Sequence, residues 1–226
     1  VAYDILFGCP GWVEGMIQAM AFIKSGMAKK CLVIGGETLS RVVDPHDRDG
    51  MIYSDGAGAT VVEGTDQEGG ILAVNSATFT YDEVDYLFFV CSNSTKHDPS
   101  VRYIKMYGRK IYEFALTHVS NAMKECLDKS GMEIQHVKKI LIHQANEKMD
   151  EAIVNRFYKL YDRKMPEGVM PMIITNLGNS SVATIPTLLD LLVNGKIEKQ
   201  QIHKGDVLIF ASVGAGMNVN AFVYRY

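Results

Sequence analysis

The 226-residue sequence lacks long apolar runs, an excess of either charge and any paired cysteines. Apolar runs such as Val169 to Ile174 fall far short of the roughly 20 residues a membrane helix needs, and the start has neither a basic n-region nor a cleavage signal. Lys and Arg number 23 against 26 Asp and Glu, a net charge of -3. The two signs alternate along the chain, so no field builds that would recruit nucleic acid or an anionic membrane. Cys9, Cys31, Cys91 and Cys126 stand far apart with no Cys-x-x-Cys pair, which argues against a disulfide framework or zinc site and for a reducing compartment, the cytoplasm. His46, His97, His118, His136 and His203 show no ligand spacing, so no metal is expected. With 47% hydrophobic and 22% charged residues, the chain has a globular composition with enough length for one large or two small cores.

What is present is an alternation of short β-rich runs and helical patterns. Val1 to Phe7 reads as the middle of a buried strand with no initiator Met or turn ahead of it, so the chain is expected to begin inside a domain. It breaks at Gly8-Cys9-Pro10-Gly11 into a helix from Trp12 to Ile23. Strands are expected at Cys31 to Gly35, Ala59 to Val62 and Ile71 to Ser76. A helical pattern covers Tyr103 to Leu127, with a C-cap at Ser130-Gly131. There follow a strand Lys139 to Ile142, a helix Glu147 to Tyr161, a strand near Met170 to Ile174, a helix Ala183 to Val193, and strands Val207 to Ala211 and Val219 to Tyr226. This order predicts an α/β architecture around a parallel or mixed sheet covered on both faces.

In such sheets ligands gather beyond the carboxyl ends of strands. Three residues there carry chemistry. Cys9 stands at a helix N-terminus, where orphan N–H groups and the helix dipole favour a thiolate and lower the thiol pKa; a small buried core cysteine is the structural alternative. His143 follows the run Lys139 to Ile142, a position that serves equally for a capping or structural histidine. Asn179, in Leu177-Gly178-Asn179-Ser180-Ser181, serves equally as a turn and helix cap. Asp55-Gly56-Ala57-Gly58 lacks both GxGxxG and a Walker lysine and reads as a tight turn of small residues packing under the site. Met16 and Met20 read as core, and Cys31, Cys91 and Cys126 as inert thiols.

Gly8-Cys9-Pro10-Gly11-Trp12, Asp55-Gly56-Ala57-Gly58-Ala59, His143-Gln144-Ala145-Asn146, Gly178-Asn179-Ser180-Ser181 with Ile185-Pro186, and Gly214-Ala215-Gly216 occur in this order. Over essentially the whole chain this resembles the β-ketoacyl-acyl-carrier-protein synthase III family of the thiolase superfamily. The resemblance implies a thiolase-like fold of two duplicated mixed-sheet halves in an α/β/α/β/α arrangement, the first half incomplete. Residues 1–68 would be the remainder of the N-terminal half carrying the nucleophile, and 69–226 the C-terminal half carrying His and Asn. It implies a catalytic set of Cys9, His143 and Asn179, with Asn176 a nearby rival outside the Gly-Asn-Ser-Ser context and Asn146 supporting the loop. It also implies an oxyanion hole from the backbone N–H of Cys9 and one in the turn at Ala215, whose flanking glycines allow close approach although a plain strand turn is the alternative.

The implied reaction is a decarboxylative Claisen condensation. Cys9 takes an acyl group, that of acetyl-coenzyme A in the commonest case, and a malonyl-acyl-carrier protein supplies the attacking carbon, starting fatty acid synthesis. Coenzyme A enters as a substrate thioester, no cofactor is permanently bound, and the family's members are homodimers. Two positions depart from the commonest pattern. Pro10 follows the nucleophile, which a helix start tolerates, and Glu147-Lys148 replaces a Leu-Arg pair. Lys148 keeps the positive charge that docks the acidic carrier, less directionally than Arg, while Glu147 makes the patch less basic. About a hundred residues that precede this segment in the family are absent, so the chain alone is expected to be a weak or inactive catalyst. A relative with a different primer or acceptor, as in secondary metabolism, shares these motifs. Hydroxymethylglutaryl-coenzyme A synthase would need a glutamate base, thiolase a second cysteine near the C-terminus, and a degenerate interaction module would lack one of the three residues.

Overall fold

The computed structural model describes residues 1–226. Its centre is a four-stranded mixed sheet in the order β3 (Gly70–Thr78), β8 (Asn218–Arg225), β7 (Val207–Gly214), β6 (Val137–Ile142). β3 and β7 pair antiparallel with β8, and β6 runs parallel to β7. Every residue of β7 is buried, as are the first six of β8, the mark of strands covered on both faces.

Two helices cover one face. α2 (Gly108–Ser130) and α3 (Glu147–Lys159) join β6, β7 and β8 in a core that includes Val119, Met123, Leu127, Ile153 and Phe157. α2 ends as its sequence predicts, with Gly131 in the left-handed conformation at φ 70°, which glycine adopts without a Cβ clash. The other face holds α1 (Gly11–Lys24) and α5 (Thr184–Val193) over a second core with Leu141, Phe210 and Phe222. Trp12, 1% exposed, lies on Phe210 and Phe222 with ring centroids 6.0 and 6.3 Å away. Two residues further on, the Glu14 carboxylate accepts from Asn220 Nδ2 at 2.7 Å and from the Ser76 hydroxyl at 3.1 Å. An apolar anchor and a polar one thus fix the start of α1 against the sheet. Met16 is core and Met20 half-buried.

β1 (Lys30–Thr38) and β2 (Asp55–Glu63) form a separate antiparallel pair. α1 packs on it, while Leu32, Ile34 and Val61 are exposed. β4 (Leu87–Val90) and β5 (Tyr103–Met106) form a third, small sheet. It is tied to the 42–50 segment by Lys105, whose ammonium reaches Asp44 and Asp47 at 2.7 Å each. Asp44 also accepts from Ser92 Oγ and Asn93 N. These bonds hold the Asp44 carboxyl well below its usual range, although burial acts against them.

Four expectations fail. Tyr103 to Met106, read as the start of a helix, is β5, paired antiparallel with β4, and α2 begins only at Gly108. Val1 to Phe7 pairs with no strand and is largely exposed. The Asp55-Gly56-Ala57-Gly58 run is not a tight turn but the start of β2; a Cβ on Gly58 would stand 2.6 Å from Pro186 Cβ, so the glycines let α5 settle on the strand. The Met170 to Ile174 run is no strand either. The Gln144 side chain takes the place of a ladder there, accepting from Ile173 N and Ile174 N at 2.8 and 3.0 Å and donating to Pro171 O at 2.8 Å. The short helix α4 (Ile174–Leu177) follows.

Candidate active site

β6 and β7 are parallel, so the residues after them emerge at one edge of the sheet. His143 follows β6, its backbone N–H bonded to Ala211 O at 2.9 Å. Gly214 ends β7 and lies against the nucleophile candidate: a Cβ there would be 2.9 Å from Cys9 N, 3.0 Å from Cys9 Cβ and 2.6 Å from Pro10 Cδ. On the other side of the contact, a Cβ on Gly8 would stand 3.5 Å from Ala215 N. The fold therefore brings Cys9 and Ala215 together across a sequence separation of 206 positions.

Asn179 is held by the segment ahead of β2. Its N–H donates to Ile52 O at 2.7 Å and its carbonyl accepts from Ser54 N at 2.9 Å. Its side chain is oriented by Ser181, whose backbone N–H donates to Asn179 Oδ1 at 2.9 Å, leaving the Nδ2 protons for another acceptor. Asn179 is 4% exposed, whereas the rival Asn176 is exposed on α4. Ser181 has φ 53°, a left-handed backbone that costs a non-glycine residue about 1–3 kcal/mol. In that conformation its hydroxyl donates to Cys9 Sγ at 3.4 Å, and its backbone acts on the His143 imidazole.

The electrostatics follow burial. The Cys9 thiol is pushed up, desolvation outweighing the Ser181 hydroxyl and the residue's own N–H, with Glu37 adding to the rise. This reverses the lowered value expected from a helix start: the N–H of Cys9 itself favours a thiolate, but stripping water from sulfur costs more. His143, 3% exposed, is pulled down to about 4 by burial, against the opposing effects of Asp150 and the Ser181 backbone. The imidazole is therefore neutral at pH 7. Asp150, in the first turn of α3, is raised to about 8 by burial.

The flanking residues have simpler roles. Asn146 caps α3, its Oδ1 accepting from Met149 N at 3.3 Å, as its supporting part predicts. Glu147 and Lys148 are exposed at the same helix start. Cys126 is raised to about 12 by burial, and His118 is stacked on Phe114. Both are structural groups.

The family model for 3-oxoacyl-[acyl-carrier-protein] synthase III matches residues 3–79, and the model for its C-terminal region matches residues 127–226. The chain belongs to this family. As a synthase III member it is a condensing enzyme of the acyltransferase type, with a thiolase-like mixed α/β fold. All 226 residues align with the β-ketoacyl-acyl-carrier-protein synthase III of Aquifex aeolicus at 30% identity, covering 67% of that protein. The Porphyra umbilicalis protein of the same name is 32% identical over 100% of the chain and 68% of its own length. Among solved structures, the Thermus thermophilus synthase III superposes with a TM-score of 0.87 at 28% identity, covering 100% of this chain and 68% of that one. The priming β-ketosynthase of the R1128 polyketide pathway gives 0.84 at 25% identity, covering 99% and 65%. This chain thus spans about two thirds of the length of these synthase III relatives.

Several groups at this synthase III site are missing from the sequence reading. Ser181 stands inside the Gly-Asn-Ser-Ser run, but its left-handed backbone leaves no mark in residue type. Glu37 reaches Cys9 only through the fold. Asp150 does carry a sequence signal: it occupies the first place in the helical stripe Asp150, Ile153, Val154, Phe157, where the spacing i, i+3, i+4, i+7 demands an apolar residue.

Proposed function

We propose that Cys9, His143 and Asn179 carry a decarboxylative Claisen condensation between an acyl-coenzyme A primer, acetyl-coenzyme A, and malonyl-acyl-carrier protein, the first condensation of fatty acid synthesis. Cys9 Sγ, having lost its proton, attacks the primer's thioester carbonyl; the C–S bond to coenzyme A breaks and the coenzyme A thiol leaves with a proton. The backbone N–H groups of Cys9 and Ala215 stabilise the tetrahedral oxygen. The malonyl thioester then loses carbon dioxide, and the electron pair of the broken C–C bond moves into an enolate whose oxygen accepts from His143 and Asn179 Nδ2. The enolate carbon attacks the acyl group, the Cys9 thiolate leaves, and 3-oxoacyl-carrier protein is released. In this reading Lys148 docks the carrier, coenzyme A is a substrate portion and no resident cofactor takes part. The full-length protein acts as a cytoplasmic homodimer.

What supports the reading most is that one residue, Ser181, bonds to Cys9 and Asn179 and acts on His143. The test is intact-mass analysis after long incubation with acetyl-coenzyme A. One acetyl group is expected on the wild-type chain and none on Cys9→Ala; acetylation of Cys9→Ala to the wild-type extent rejects the assignment. The same assay with a panel of acyl-coenzyme A donors separates this reading from a second, a ketosynthase with another primer, favoured by the Glu147-Lys148 departure at the carrier-docking position.

A further inference from the structure

One ion cluster of the chain is buried: the Lys105 ammonium on β5 meets Asp44 and Asp47 at 2.7 Å each, with side-chain exposures of 8%, 0% and 21%. Pairs such as Lys30–Glu63 and Arg109–Glu113 lie at the surface, where they contribute little. Asp44 fills both its oxygens. Oδ1 accepts from Ser92 Oγ at 2.8 Å and His46 N at 3.0 Å, and Oδ2 accepts from Asn93 N and Lys105 Nζ at 2.7 Å each. Desolvated charges paired this fully hold one geometry, and removing one partner leaves the others uncompensated.

The cluster holds a strap that ends on Asn179. From Asp44 to Tyr53 the chain advances by three turns in series, Asp47 N–H donating to Asp44 O, Gly50 N–H to Asp47 O and Tyr53 N–H to Gly50 O at 3.0, 3.0 and 3.2 Å. The Asp47 carboxylate also accepts from Asp49 N at 3.1 Å and so caps the short 3-10 turn Arg48–Ile52. Three successive residues of β5 template this strap: Ile104 N–H donates to Val42 O at 2.9 Å, Lys105 binds Asp44 and Asp47, and Met106 Sδ lies 3.9 Å from the Tyr53 hydroxyl. At its far end the strap grips Asn179 by both backbone groups, Ile52 O accepting from Asn179 N at 2.7 Å and Ser54 N donating to Asn179 O at 2.9 Å. Gly178, the residue before, has φ 69°, and a Cβ there would stand 3.0 Å from Ile52 O, so the strap and the asparagine loop are in close contact.

We infer that Lys105, through Asp44 and Asp47, is a positioning residue for Asn179: the buried ion cluster fixes the strap whose Ile52 and Ser54 set the asparagine backbone, and hence the place of its Nδ2 protons. This rests on the proposed part of Asn179 as a donor to the enolate. The other two residues of the site are held by different elements. His143 N–H is bonded to Ala211 O in the central sheet, and Cys9 lies against Gly214 at the end of β7. A loosened strap therefore falls on decarboxylation, whose enolate oxygen needs the Asn179 donor, and far less on acyl transfer to Cys9, whose tetrahedral oxygen is held by backbone N–H groups in the proposed reaction.

Amide hydrogen exchange reads the positioning without any activity. In Lys105→Met the Ser54 and Asn179 amides should exchange roughly tenfold faster than in the wild type, while His143 N–H, at the same site but bonded to β7, should stay within about twofold. Lys105→Arg, which still meets both carboxylates, should keep the wild-type rates. Lys105→Met combined with Asp44→Asn and Asp47→Asn removes the buried charges together, so it leaves none unpaired where the single variant does not fold, and it should show the same selective pattern. Equal acceleration at Ser54, Asn179 and His143, or none at any of them, overturns the inference. In the reaction itself, the kcat of malonyl-coenzyme A decarboxylation should fall roughly tenfold in Lys105→Met with KM within about twofold, and the rate of Cys9 acetylation should hold; equal loss in the two half-reactions overturns the inference as well. Selective exchange in a chain that never acylates Cys9 supports the positioning while rejecting the proposed activity; acylation with unselective exchange does the opposite.

Discussion

The Ser181 hydroxyl donates to the Cys9 sulfur at 3.4 Å from a residue whose backbone sits at φ 53°. Two costs meet there, a left-handed serine and a half-buried thiol whose pKa is pushed up by desolvation. Of the groups around the sulfur, this hydroxyl does most to offset that rise, and it thereby favours the thiolate that a nucleophilic role needs.

Replacing Ser181 by alanine should therefore raise the apparent pKa of Cys9 further. A hydrogen bond of about 1 kcal/mol corresponds to roughly 0.7 pH unit and to about fivefold slower labelling below the pKa. Iodoacetamide kinetics followed against pH measure both. Ser181→Gly separates the hydroxyl from the strain: it should show the same shift in labelling together with a higher Tm, because glycine adopts the left-handed backbone freely. An unchanged pH profile in both variants would remove Ser181 from the account of Cys9 reactivity.

Gly214→Ala tests the contact between the β7 turn and the nucleophile. Its Cβ would stand 2.6 to 3.0 Å from Pro10 Cδ, Cys9 N and Cys9 Cβ, distances that force the backbone apart. Overpacking of this kind costs about 1–3 kcal/mol, and the displaced Cys9 should acylate at least tenfold more slowly, since small misplacements of reacting groups cost about that much or more. Gly108→Ala is the control. Nothing lies within 4 Å of a Cβ there, and alanine in the first turn of α2 should leave Tm unchanged or raise it. Thermal melts and acetylation rates on both variants decide; equal effects at the two glycines would sink the close-contact argument.

Periodicity and punctuation made most of the fold legible. α2 and α3 follow their apolar stripes, Gly131 ends α2, and the apolar run at 207 becomes a strand buried along its length. The failures share a cause: a partner outside the local window decides them. Met170 to Ile174 has strand composition, but its amides are claimed by the Gln144 side chain 29 and 30 positions away. Val1 to Phe7 finds no ladder, and the Asp55 to Gly58 glycines serve a helix that lies on them, not a turn. The site divides the same way. Cys9, His143 and Asn179 stand out by residue type and motif, while Ser181 acts through its backbone angle and Asp150 through burial. Neither property is written in composition, although an aspartate on an apolar stripe was a visible anomaly.

Lys148 and Glu147 make a prediction in which two effects oppose each other. Both are exposed at the N-terminus of α3, where the helix dipole favours the glutamate by about 0.3–1 kcal/mol, while an acidic carrier protein is attracted by the lysine. Lys148→Glu should raise KM for malonyl-acyl-carrier protein roughly fivefold, since an exposed charge contact is worth about 1 kcal/mol at most. Added salt should shrink the difference, because exposed charges are screened over about 8–10 Å. Acetylation of Cys9 by acetyl-coenzyme A, which involves no carrier, should be unaffected. Glu147→Lys should act in the opposite sense, lowering KM for the carrier substrate while lowering Tm slightly through the lost favourable charge at the helix start. Steady-state kinetics with carrier-bound and coenzyme A-bound malonyl substrates measure the split. A Lys148→Glu variant that slows both half-reactions equally would mean that the side chain supports the structure of the α3 start and does not dock the carrier.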